Sequence, residues 1–387
     1  MSSTVDYSNL SLKELKALCK ERGIKGYGTK NVDEIIFLLT THKEEEKIHR
    51  LNYIGSKFQL LDWLEENIKE KTGWETFKGK VVGDLFAGTG IVSYHFRKHR
   101  AITISNDAEL YSSVITHAFA LSHYNETCKH LIETLQNETN EGKVGYITRN
   151  YSPYEDCERM FFTVENAMKI DYLSQRIDEL KNQISINDHQ FLLASLLLSA
   201  DAVSNVPAVY GCYLKNFKAK ATKTLKLEPI HTNTKKCKSK SNVYNKDVLS
   251  SFTDEFNMVY LDPPYNERQY SKNYFPLNMI ALSPREQEEE APLKGKTGIP
   301  ESCFISPFCK KGKTVEDAFD KMFNQLKTEW IFLSYSSESI VSKDKMIEIM
   351  SKYGDVSVVE RDYKRFKSFE YNEDNEIQEY LFCLRKN

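Results

Sequence analysis

The segment LDPPYNERQY, residues 261–270, concentrates the side chains best suited to chemistry. An aspartate closes the apolar run NMVYL, and two prolines and a tyrosine follow it. Pro263 and Pro264 fix φ and remove two backbone donors, which leaves the Pro263 carbonyl as a rigid acceptor beside the Asp262 carboxylate. Two such acceptors can take both hydrogens of an exocyclic amino group, drawing the nitrogen lone pair out of conjugation and aiming it at an electrophile. Tyr265 offers a face on which a planar base can stack. A proline turn that merely ends a strand is the alternative, and only context separates the two.

That context is DLFAGTG, residues 84–90. A strand ending in Asp84, followed by a turn of small residues into a helix, lets a ligand approach the backbone closely. The glycine spacing is not G-x-G-x-x-G. Ile-Val after Gly90 excludes a phosphate-binding P-loop, and GKT at 295–297 lacks the glycine five residues ahead of it. What remains is the nucleoside-binding turn of an S-adenosylmethionine enzyme. Asp107 ends the next apolar run, AITISND, where a carboxylate can accept both hydroxyls of a ribose.

The elements that must hold these residues are legible as a pattern. VVGDLFAG, AITISND, NMVYLDPPY and WIFLSYSS are β-branched or apolar runs, and VSVVERDYKRF with EIQEYLFCLR reads as a closing antiparallel pair. Strands alternating with helices predict an α/β fold, a largely parallel Rossmann-like sheet with helices on both faces. The alternation stops between 110 and 245, where 162–180 and 190–205 have helical period and a loop-like basic tract follows. Residues 283–316, rich in Pro, Gly, Lys and Glu, read as a surface insertion. At the front, residues 8–42 predict a helical hairpin: Ser11 and Glu14 make a capping-box pattern, and Gly23, Gly26 and Gly28 separate two amphipathic stretches. The charged linker KEEEKIHR (43–50) follows.

Composition removes other classes. The chain is 40% hydrophobic and 28% charged, enough to bury a sizeable core. Its longest apolar run, Phe191 to Ala200, is about half what a bilayer crossing needs, and the N-terminus has neither a basic start nor an apolar stretch. An intracellular, non-membrane protein is expected. Eight cysteines without CxxC predict reduced thiols rather than a disulfide framework. His95 and His99 have the H-x3-H interval, but no cysteine pair lies near, and HFRKH reads as a solvated helix face, so no metal is expected. Net charge is only -2, yet residues 213–246 hold ten lysines against one glutamate.

Taken together, these blocks resemble the Dam-like (α-group) adenine-specific DNA methyltransferases, in the branch that accompanies type II restriction enzymes. LNYIGSKFQLLDWL (51–64), DLFAGTG, ISNDAE and DPPYNERQYSKNYFPLNMIA carry the resemblance, and weaker similarity runs through FTVENAMKID, LLASLLLSADAVSN, YGCYLK, LSYSSE and EYLF. It covers about residues 50–385. SLKELKALCKERGIKGYGTKNVDEIIFLL is similar to a SAP module, a short helical unit that commonly holds DNA. A helical pair used for protein contacts is the other reading, because residues 1–47 balance eight basic against eight acidic side chains.

The resemblance implies a domain plan and a set of roles. Residues 1–47 form the SAP-like module, 48–110 and 245–387 the catalytic domain, and 111–244 an inserted target-recognition domain. Asp262, Pro263, Pro264 and Tyr265 are the catalytic segment. Tyr53 and Lys57 meet the aminocarboxylate of S-adenosylmethionine, and Asp84, Phe86, Ala87, Gly88 and Gly90 form its turn. Asp107 holds the ribose, and Asp247, fifteen positions before Asp262, reads the adenine amino group of the cofactor. Lys215, Lys218, Lys220, Lys223, Lys235 and Lys236 are expected on DNA phosphates. The implied partner is double-stranded DNA, bound by a monomer, with a restriction endonuclease possible on the same site. The same DPPY chemistry serves cytosine N4 and adenine in RNA, and aspartate first with NERQY after favours adenine in DNA. A DNA-binding scaffold on a decayed methylase fold is the reading from another class; the intact DLFAGTG and DPPY argue against it.

Overall fold

The computed structural model describes residues 7, 10–21, 24, 26–41, 46–138, 142–237, 240–290, 293–363 and 377–387. Gly23, Lys43–Glu45 of the linker, Lys238 of the basic tract and 364–366 of VSVVERDYKRF lie outside the described residues. The chain divides into two compact units, residues 1–47 and 48–387.

The first unit is the expected helical pair, α1 (Leu12–Glu21) and α2 (Val32–Thr41). Ser11 and Glu14 form the reciprocal capping contacts at the start of α1, and Asn31 and Glu34 repeat them at α2. Leu15, Cys19, Ile24, Ile35 and Leu39 make its small core.

The second unit is built on one seven-stranded sheet. Its strands are β1 (Val81–Asp84), β2 (Ile102–Asp107), β3 (Asn242–Asn245), β4 (Phe256–Leu261), β7 (Thr328–Ser336), β8 (Gly354–Tyr363) and β9 (Ile377–Lys386), in the order β3-β2-β1-β4-β7-β9-β8. A two-strand hairpin, β5 (Leu293–Lys294) and β6 (Ile299–Pro300), lies apart. The β1, β2, β3, β4 and β7 pairings are parallel, and β9 runs antiparallel between β7 and β8. Side chains alternate along each strand and divide the core in two. Val82, Met258, Tyr260, Phe332 and Leu381 pack on one face; Val259, Leu261, Ile331, Leu333 and Phe382 pack on the other. This is the Rossmann-like α/β architecture that the strand pattern predicts.

On the first face lie α3 (Leu61–Thr72), α4 (Ile91–Lys98), α5 (Leu110–Ala120), α6 (Glu126–Asn137), α7 (Tyr146–Tyr151), α8 (Val164–Glu179), α9 (Ile186–Ala202) and α10 (Tyr270–Ala281), followed by α11 (Pro284–Glu289). On the other lie α12 (Lys313–Gln325) and α13 (Lys343–Met350). Thr163 and Ser185 cap α8 and α9 through their side chains. Helix α9 is buried almost all round, which is why its apolar run has no polar stripe. Leu192 and Leu196 of α9 share one core with Val114 of α5 and Met258 of the sheet. Strand β3 is only four residues long, at the sheet edge, and its polar ends hide it in the sequence. Among the described residues no helix is long and apolar enough to cross a membrane. Cys128, Cys157, Cys212, Cys303, Cys309 and Cys383 form no disulfide.

Candidate active site

Strand order reverses beside β1: successive strands run outward to β2 and β3 on one side and to β4 and β7 on the other. A crevice opens at the carboxyl ends of strands at such a point. Asp84, Asp107 and Asp262 each close or follow one of these strands, and all three line a single cleft. Tyr53, Lys57, Phe86, Ala87, Gly88, Asp247, Pro263, Pro264 and Tyr265 line the same cleft. Gly90, the residue that caps the start of α4, is not among the residues that line it.

The turn after β1 is shaped by what its glycines lack. Gly88 has φ +53°, and a Cβ there would come within 3.1 Å of the Tyr53 ring. Gly90 has φ +70°, and a Cβ would lie 2.7 Å from the Thr116 backbone, so α4 could not start where it does. Asp84 pins this helix by accepting from the Ser93 amide at 3.0 Å and the Ser93 hydroxyl at 2.6 Å. Burial pushes its carboxyl up to about 7, against the pull of Ser93. The other oxygen of Asp84 is buried without a hydrogen-bond partner. Asp107 reaches across from β2, accepting from Gly88 N–H at 2.8 Å and Glu109 N–H at 2.9 Å. Burial raises its carboxyl above the ordinary range. Asp247 also accepts from Leu249 N–H at 2.9 Å, closing a turn as it faces the cleft.

The DPPY segment follows β4 directly. Burial raises the Asp262 carboxyl, while the Lys57 ammonium 2.9 Å away opposes that rise. Lys57 comes from a short 3-10 turn, Lys57–Leu60, and is only 5% exposed. Its other hydrogens face the Gly55 carbonyl at 3.1 Å and the Glu379 carboxylate at 3.5 Å. Burial disfavours the charge on Lys57, yet the two carboxylates outweigh it and hold the ammonium above the usual lysine value. The aminocarboxylate contact implied for Lys57 therefore competes with an ion pair inside the protein. Tyr265 donates its hydroxyl to Glu379 at 2.7 Å and packs edge-on against Tyr335. The Lys57 ammonium lies 4.8 Å from the centre of the Tyr265 ring.

Several residues that line the cleft or stand behind it escaped the sequence. Glu379 sits on β9, more than a hundred residues from its partners, and spacing carries no trace of that contact. Glu109 lines the cleft, bonded to Asn278 at 2.6 Å and pushed by burial up to about 7. Helix α10 is kinked where Pro276 removes an amide and Tyr274 leaves helical geometry, and this lets Tyr274 stack on Tyr53 at 4.9 Å. Residues 304–308 belong to the expected surface insertion but form a wall of the cleft. Gln269 holds that wall with two hydrogen bonds to the Ser306 backbone, and Phe308 meets Phe86 edge-on at 5.1 Å.

The basic tract is only partly free. Lys215, Lys223, Lys235 and Lys236 are exposed. Lys218 donates to the Val206 carbonyl and Lys220 to the Asp201 carbonyl at 3.2 Å, so both tie down the loop after α9. The carbonyl of Lys235 accepts from Arg97, in the last turn of α4, the end remote from the cleft. His95 is packed rather than solvated, bonded to Glu65 at 2.6 Å; His99 lies 3.3 Å from the same oxygen, and Lys69 holds the other. This cluster staples α3 to α4.

The bare backbone of the 85–90 turn, the acid at the end of β2 and the unpartnered oxygen of Asp84 fit a nucleoside cofactor with a charged end. Residues 53–349 match the profile of the D12 class N6 adenine-specific DNA methyltransferases. The chain is 40% identical over 341 residues to the type II methyltransferase M.CviAII of Paramecium bursaria Chlorella virus 1, covering 87% of this chain and 99% of that protein. It is 37% identical over 347 residues to the type II methyltransferase M.NlaIII of Neisseria lactamica, with the same coverage. M.FokI of Planomicrobium okeanokoites is 34% identical over 352 residues, matched over 53% of its own length. The chain belongs to the D12 class of N6 adenine-specific DNA methyltransferases, and its cofactor is S-adenosylmethionine.

Proposed function

We propose that this chain is the modification enzyme of a type II restriction–modification system, methylating one adenine within a fixed double-stranded sequence. A restriction endonuclease reading the same site would be its counterpart, acting without a stable complex, and the methyltransferase works as a monomer. The observation that carries the chemical part is the juxtaposition of Asp262, backed by a rigid Pro-Pro turn, with the bare 85–90 turn in one cleft.

S-adenosylmethionine, when bound, supplies the methyl group as an electrophile. Gly88 and Gly90 keep the turn open for it, Asp107 takes the ribose, and Asp247 and Phe86 flank the purine. Tyr53 closes the methionine end. Asp262 and the Pro263 carbonyl accept the two amino hydrogens of the target adenine, which localises the lone pair on N6. That amino group is out of reach inside a duplex, so the base must be extruded at a cost of a few kcal/mol. Tyr265 stacks on the extruded ring, held in place by Glu379. Positive charge develops on N6 beside Asp262, which is the group placed to stabilise it. Lys57 keeps Asp262 ionised inside a buried site.

Sequence choice belongs to the segment between β2 and β4. The exposed lysines there, Lys215 and Lys223 first, meet phosphates and set register. The SAP-like pair in residues 1–47 adds a second contact to DNA. Sequencing DNA from cells expressing the protein tests this reading: N6-methyladenine at one fixed motif supports it, and scattered methylation without a motif contradicts it.

A further inference from the structure

We propose that Glu379 is a positioning residue of methyl transfer, acting on Asp262 through Lys57 and on the stacked base through Tyr265; this rests on the amino-methylation reading above. Glu379 stands on β9, opposite Ser336 of β7 in the register, and is 5% exposed. A carboxylate buried in the middle of a sheet is costly unless its charge is used. Tyr265 alone would not require a charge, because a glutamine oxygen could accept the same hydroxyl hydrogen.

The charge matters through Lys57. Asp262 and Glu379 share one buried ammonium, at 2.9 and 3.5 Å, so the three groups carry one net negative charge when both acids are ionised. The step they serve places positive charge on the amino nitrogen held by Asp262. A cluster with a fixed negative excess stabilises that charge; a lone Asp262–Lys57 pair is neutral and does not. Glu379 also shares the Lys57 ammonium with the carboxylate that must accept the amino hydrogen. The other ionisable groups facing the cluster are Asp84 at the end of β1, Tyr260 on β4 and Tyr265 itself. On β8, Arg361 lies opposite Glu379 in the register, and its guanidinium is 5.9 Å from the centre of the Trp63 ring.

The test uses the full chain and separates charge from tether. Glu379→Gln keeps shape and the Tyr265 bond but removes the charge. It is expected to slow single-turnover methyl transfer on the order of tenfold to a hundredfold, with DNA affinity little changed. Its acid limb should move to lower pH, because Lys57 then serves Asp262 alone. Combined with Lys57→Met, it should add little further loss, since Glu379 acts through Lys57. Glu379→Leu releases the Tyr265 hydroxyl, and 2-aminopurine at the target position, read without cofactor, should fluoresce more strongly than in the wild-type complex as stacking loosens. A Glu379→Gln enzyme with wild-type rate and an unmoved acid limb overturns the charge role. Fully additive losses with Lys57→Met overturn its route, and unchanged 2-aminopurine fluorescence in Glu379→Leu overturns the tether. Label on cytosine N4 in place of adenine N6 would overturn the adenine reading alone, because rate and pH limb judge Glu379 whichever amino group is methylated.

Discussion

At the scale of the residue, methyl transfer as proposed depends on a carboxylate that must be ionised in a place that discourages ionisation. Burial lifts Asp262 above the ordinary aspartate range, and Lys57 restrains that lift. The protonated acid cannot accept an amino hydrogen at the oxygen that carries its proton. Activity should therefore fall on the acid side at a pH above that of a free aspartate, and kcat/KM against pH measures it. Asp262→Ala should reduce turnover by about a thousandfold or more while leaving DNA binding within a few fold, as expected when an interaction made mainly in the transition state is lost. An Asp262→Ala enzyme with substantial turnover would remove the acid from the mechanism. Asp262, Pro263 and Tyr265 were legible because all their chemistry lies within a few consecutive positions. Lys57 was visible only through resemblance, and its partner Glu379 not at all, because tertiary contact across a sheet leaves no periodicity to read.

At the scale of the element, the site depends on how tightly β1 turns into α4. Gly90→Ala would strain a left-handed φ and press a methyl onto the Thr116 backbone of α5. The strain alone costs about 1–3 kcal/mol, so melting temperature should fall together with cofactor affinity. Thermal denaturation and titration with S-adenosylhomocysteine check this, and a neutral Gly90→Ala would show that the turn tolerates a side chain. Strands β1, β2, β4 and β7 were readable because each buries most of both faces and so is rich in β-branched or apolar residues. Strand β3 and the cleft wall at 304–308 were not. Strand β3 is short, polar and at an edge. The wall has the composition of a surface loop, and only the Gln269 bonds to Ser306 zip it onto the segment after DPPY.

At the scale of the molecule, the proposed function gives the two units different duties. Residues 48–387 contain every residue of the cleft, and the family profile begins at residue 53. A chain beginning at Ile48 should retain methyl transfer to short duplexes at a rate close to that of the full chain, with any loss confined to DNA affinity. Loss of chemistry itself would show that the first unit belongs to the catalytic machinery. The charge polarity of the chain bears on affinity as well. If about half of the lysines in 213–246 meet phosphates, log affinity should fall with log salt at a slope of roughly -4. Substituting Lys215 or Lys223 should reduce that slope by about one each, whereas Lys218 and Lys220, bonded to backbone carbonyls, should act on stability instead. The lysine run was obvious in the sequence. Which lysines are engaged by the fold depends on where the loop after α9 folds back, and charge counting cannot show that.

The most direct measurement incubates the protein with labelled S-adenosylmethionine and unmethylated DNA, then separates the nucleosides of the digest. Label is expected in N6-methyladenine for the full chain and none for Asp262→Ala. Label in N4-methylcytosine, or in neither nucleoside although cofactor binds, would contradict that expectation.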